Sequence, residues 1–120
     1  MGISTSAHVF YGIPIHNPED TSCGVDEMPE EMLEQLEKYP YHFENKGGVF
    51  QRTLSPAYDH PSRAYLAIKE IEADSWDGGV PFDPAQLTVT SEERQLLIDE
   101  AEKFGITGVE PQWFIGADIC

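Results

Sequence analysis

The chain has little positive charge: seven Lys and Arg stand against 22 Asp and Glu in 120 residues, a formal net charge of −15. Ten of the acids and three of the bases fall in residues 1–60, and the other twelve and four in residues 61–120, so the excess is not an acidic tail. Such a surface repels phosphates and anionic lipid, which argues against direct binding to nucleic acid or membrane. Two cysteines, Cys23 and Cys120, are too few for a disulfide framework and read as free thiols in a reducing compartment. There is no basic segment leading into an apolar run, no long apolar stretch and no lipidation motif, so a soluble cytoplasmic protein is expected.

Motifs that carry chemistry are missing as well. No Cys-x-x-Cys, His-Glu-x-x-His or calcium-loop pattern connects His8, His16, His42, His60 and Cys23, so neither metal nor cofactor is expected. Gly47-Gly48 and Gly78-Gly79 lack the Walker and dinucleotide contexts and read as turns. With 22 acids, no carboxylate pair can be singled out for acid–base work. Asp59-His60 lies between Ser55 and Ser62 in the segment SPAYDHPS, but sequence neighbours rarely orient as a triad, and a turn ending at Pro61 explains them better.

What is present supports one folded domain over residues 1–120, since apolar residues make up 40% and aromatics 11% of the chain. Thr5–Ile15 alternates as a strand, with Ala7, Val9, Tyr11 and Ile13 on one side and His8 and Phe10 on the other. A first helix follows through DEMPEEMLEQLEKY, Met32, Leu36 and Tyr39 facing the core and Pro40 ending the run. YHFEN, Gly47-Gly48 and VFQRTL propose a hairpin, and Arg63–Asp74 a mid-sheet strand whose end, KEIEAD, emerges into solvent. A second helix opens at Thr90 with the capping-box form Thr90-x-x-Glu93, buries Leu97, Ala101 and Phe104, and ends at Gly105. A short edge strand through Trp113 and Ile115 closes the chain. The expected class is α+β, a mostly antiparallel sheet with two helices in the order β-α-β-β-β-α-β.

The acids have a pattern of their own. Glu27, Glu30, Glu31 and Glu34 recur at three- and four-residue steps on the flank of the first helix away from the core, with Glu37 continuing the row. Four helical residues advance about 6 Å, and phosphates along one DNA strand recur at about 3.4 Å, so such a stripe approximates a thinned row of phosphates. Glu92, Glu93, Asp99, Glu100 and Glu102 supply a second row. Asp74 and Asp77 flank Trp76 as a second candidate cluster, and Trp76, Phe82 and Trp113 are candidate apolar anchors.

The blocks MGISTSAHVFYGIPI, AYDHPSRAYLAI, the Trp76-Asp77-Gly78-Gly79 loop with Asp83-Pro84, and FGITGVEPQWFIGADIC resemble, in that order, a family of small phage-encoded proteins. In that family a Pro-x-Trp-Trp-like strand closes the chain; here it reads Pro111-Gln112-Trp113-Phe114, one aromatic being changed. The resemblance implies a phage origin and transfers no site residue; the expected cytoplasm is then that of the host cell. The expected function is non-enzymatic: binding and inhibition of a basic host protein or defence complex by Glu27, Glu30, Glu31, Glu34, Glu37, Asp74, Trp76 and Asp77, in imitation of nucleic acid. The alternatives are an acidic accessory or assembly protein acting through homo-oligomerisation or aromatic contacts and, more weakly, a small hydrolase using His60 and Asp59.

Overall fold

A computed structural model describes residues 5–15, 30–41, 48–54, 63–74 and 78–119. Strand β1 (Thr5–Pro14) is followed by helix α1 (Glu30–Leu36), strands β2 (Phe50–Leu54) and β3 (Arg63–Asp74), a 3-10 turn at Pro84–Leu87, helix α2 (Ser91–Glu102) and strand β4 (Gln112–Ile119). The strands form one sheet in the order β2-β3-β1-β4, every neighbouring pair antiparallel. The fold is thus α+β, with two helices among the described residues, β3 central and β4 at an edge, as the hydrophobic patterns require. No helix among the described residues is long and apolar enough to cross a membrane.

One part of the hairpin differs from expectation. Its second arm forms β2, while residues 42–47 lie outside the described residues. Tyr41 bridges Gln51 in the parallel sense rather than the antiparallel sense of a hairpin. The reason lies in the preceding turn, where the Gln51 amide N–H donates to Pro40 O at 2.9 Å and its side-chain Nε2 donates to Tyr39 O at 2.9 Å. These bonds tie the end of α1 directly to β2.

Strand alternation gives the sheet two apolar faces. Tyr11, Ile13, Leu66 and Ile68 join Leu36, Leu97 and Ala101 in the larger core beneath the helices. Phe10, Phe50, Leu54 and Ala67 form a second core on the reverse face, with Tyr65 and Phe114 packed against it. The pairing of β1 with β3 slips between Tyr11 and Gly12, so that Ile68 has no partner on β1. At Gly12 a Cβ would overlap the Leu66 carbonyl oxygen, which explains the glycine next to this irregularity.

The sheet also curls. β2 and β4 lie at opposite edges, yet a Cβ on Gly116 would come within 2.6 Å of Leu54 Cδ1, so the edges approach each other over the reverse face. Inside that curve the Phe10 ring stacks on Phe114 at 5.6 Å and meets Tyr65 edge-on at 5.0 Å. Side chains on this concave face are therefore shielded by the sheet itself.

Candidate functional site

The two helices share one side of the sheet and touch at their C-terminal ends. Helix α1 stops at Leu36, and Tyr39 N–H reaches Leu36 O at 3.1 Å in a tightened last turn before Pro40, which cannot donate and disfavours helical geometry at the residue before it. Helix α2 begins with the capping box: Glu93 N–H donates to Thr90 Oγ1 at 3.1 Å and Thr90 N–H to Glu93 Oε1 at 3.0 Å. It ends where Gly105 takes φ of 80° and Ile106 N–H returns to Ala101 O at 3.2 Å. The Tyr39 ring stacks on Phe104 at 5.8 Å, and its hydroxyl donates to the Glu100 carboxylate. A cleft of about 280 Å³ between the helices is lined by Glu31, Gln35, Lys103 and Phe104.

This places carboxylates of both helices on one surface. Glu30, Glu31, Glu34 and Glu37 are exposed on and just beyond α1, as are Glu92, Asp99 and Glu102 on α2. The nearby bases are mostly engaged: Lys103 with Glu100 at 3.1 Å, Lys69 with Glu93 at 3.4 Å, and Arg94 with Glu110. Among the described residues, Glu30, Glu31, Glu34, Glu37, Glu92 and Glu102 enter no salt bridge. Neither helix carries a base in its last turn. Glu34 and Glu102 therefore sit unfavourably at the negative ends of two helix dipoles, while Lys38 follows Glu37 just beyond α1 and Lys103, the C-cap of α2, pairs with Glu100. Glu30 with Glu34, and Glu31 with Glu34, add like-charge pairs that cost about 0.2–0.5 kcal/mol each in a helix.

Two groups in this layer titrate away from their ordinary values. Burial, reinforced by the Glu100 carboxylate, pushes the Tyr39 phenol up. Glu93 is held below the usual carboxylate range, first by the Thr90 backbone N–H and then by the Thr90 hydroxyl and Lys69. On the reverse face, burial raises the Tyr65 phenol against an opposing effect of Arg63.

Of the residues expected to bind a partner, Glu30, Glu31, Glu34 and Glu37 are brought together on the helical side, while Glu27, Trp76 and Asp77 lie outside the described residues. Asp74 does not join them. It pairs with Ser6 at the far end of β3, eight positions beyond Leu66, where Gln51 anchors the end of α1. At about 3.3 Å per strand residue the separation is on the order of 26 Å. Trp113 is not a free anchor either: it is partly buried against the main core, edge-on to Tyr11 at 5.3 Å. Phe82 remains 49% exposed.

A polar group on the concave face escapes sequence reasoning. Arg52 and His8 are each 1% exposed, and Arg52 Nε lies 2.8 Å from Glu70 Oε1 while His8 Nδ1 lies 3.4 Å from Glu70 Oε2. KEIEAD reads as a solvent-facing alternation, yet only 10% of the Glu70 side chain is exposed, because the curl of the sheet covers the first carboxylate of that run. Spacing gives no signal for this, since the three residues come from three strands.

No family model, curated protein or solved structure matches the chain.

Proposed function

We propose that this is a phage protein that binds and inhibits a basic, nucleic-acid-handling host enzyme or defence complex, presenting the acidic helical face where nucleic acid would otherwise lie. One observation supports this reading above the others: both helices bring their negative C-terminal ends together and set more carboxylates than bases there, Glu34, Glu37, Glu100 and Glu102 against Lys38 and Lys103. Solubility alone is served by charge anywhere on the surface, whereas charge placed against the helix dipoles weakens the fold. A cationic groove gains complementarity from such a face, mainly as faster association and selection of partner.

A second reading, an accessory or assembly protein that self-associates through apolar contacts, draws on the exposure of Phe82 at 49% and of Ile115 at 83%. Ionic strength separates the two. Charge-led capture of a basic nucleic-acid-handling protein from bacterial lysate holds at about 0.1 M salt and is lost near 0.5 M, where screening shortens to a few ångströms. Capture indifferent to salt contradicts the proposal and favours the apolar reading.

A further inference from the structure

His8, Glu70 and Glu72 offer one ligand atom each, and the three atoms lie within 4.8 Å of one another. The grouping follows from strand register: His8 on β1 stands directly opposite Glu72 on β3, and Glu70, two residues back, points to the same face. Exposure is graded across the group, His8 being buried, Glu70 intermediate and Glu72 exposed, so one side opens to solvent while the imidazole end is enclosed.

The surrounding contacts orient these atoms. Ser6 Oγ lies 2.7 Å from His8 Nε2, which leaves Nδ1 as the nitrogen turned toward the carboxylates. Arg52 Nε, at 2.8 Å, engages Oε1 of Glu70 and so directs Oε2 toward His8. His8 and Glu70 thus each carry a second contact of the kind that usually supports a metal-binding imidazole or carboxylate. The Nδ1 to Oε2 separation of 3.4 Å is long for a hydrogen bond. That one separation is close to the edge of a tetrahedron whose bonds are about 2.1 Å, the length typical of zinc with imidazole or carboxylate, and the other two lie within 4.8 Å.

We propose that His8, Glu70 and Glu72 form a binding site for a divalent first-row transition ion, with Ser6 and Arg52 positioning the ligands. One imidazole and two carboxylates suit zinc, cobalt, manganese or iron, whereas magnesium and calcium favour all-oxygen shells. Water completes the coordination on the Glu72 side. The site lies on the concave face of the sheet, apart from the helical surface, and does not depend on the partner proposed for that surface.

The test is a titration of the full, chelator-treated chain with Co2+ at about pH 7.5, followed through visible absorption and competed with Zn2+ and Mg2+. The expected result is saturation of the Glu72-dependent absorption at one ion per chain, displaced by Zn2+ and not by equal Mg2+. Because Glu72 is exposed, Glu72→Gln keeps the fold, and it weakens binding at least about tenfold, the lower end of what even outer-shell partners contribute. Glu30→Gln with Glu31→Gln leaves binding unchanged, which separates the site from loose attraction to an acidic surface. The proposal is overturned by absence of binding, by equal affinity in Glu72→Gln, or by Mg2+ competing as well as Zn2+.

Discussion

Tyr39 and Glu100, 61 positions apart, are joined by a hydrogen bond from phenol to carboxylate that links the end of α1 to the last turn of α2. Helix α1 has only seven residues, too few to persist alone, so this bond, the stacking on Phe104 and the Gln51 anchor hold its acids in place. Tyr39→Phe should cost about 1.5 kcal/mol at neutral pH, the scale of a hydrogen bond to a charged group. A second signature lies in alkali. Since folding raises the Tyr39 pKa, its contribution is complete below the unfolded value of 10.0 and is lost as pH rises through the higher folded value. Urea melts at about pH 8 and about pH 11 should show a larger alkaline loss in the wild type than in Tyr39→Phe.

The Thr90–Glu93 capping box gives the opposite pH sign. Folding lowers the Glu93 pKa, so its contribution is complete above the ordinary carboxylate value of 4.5 and disappears as pH falls through the lower folded value. Thr90→Ala should cost about 1 kcal/mol at neutral pH. Glu93→Gln should reduce the acid-induced loss of stability, read from urea midpoints on either side of the carboxylate range.

Much of this layout is legible in the sequence. The capping box and Gly105 delimit α2, the alternation in Thr5–Ile15 assigns His8 and Phe10 to the face opposite Tyr11 and Ile13, and the apolar run Ala64–Ile68 marks a central strand. Those signals are local, set by backbone capping and by the two-residue period of a strand. The curl of the sheet is not local. Contact between Leu54 and Gly116 across opposite edges turns Glu70, which reads as solvent-facing, into an interior group beside the buried Arg52. Trp113 is likewise drawn into the core by Tyr11, its cross-strand partner.

The two close approaches at glycine should respond differently to a methyl group. At Gly12 the obstacle is the Leu66 backbone carbonyl, which cannot move without breaking the pairing of β1 and β3, so Gly12→Ala should cost about 3 kcal/mol or more. At Gly116 the obstacle is the flexible Leu54 Cδ1, 2.6 Å from where a Cβ would stand, so Gly116→Ala should cost about 1 kcal/mol. Shortening Leu54 to Val should offset part of the second loss and none of the first, as measured by chemical denaturation.

Arg52 and Glu70 should behave as a coupled pair. Arg52→Met leaves a carboxylate that is only 10% exposed without its nearest cation, and should cost about 3–5 kcal/mol. Adding Glu70→Gln should recover part of that loss, a non-additivity measurable by a double-mutant cycle.

The measurement that bears most directly on the proposed function is competition for the nucleic-acid site of the basic protein captured at low salt. Wild-type chain should displace a labelled nucleic acid from that protein, and the variant with Glu30, Glu31, Glu34 and Glu37 changed to Gln should need at least about ten times more, a loss on the scale of 1.4 kcal/mol. Neutralising Glu72, Asp74 and Asp118, which lie on the strands, should leave displacement unchanged. Equal displacement by the helix variant, or displacement lost only in the strand variant, would contradict the account.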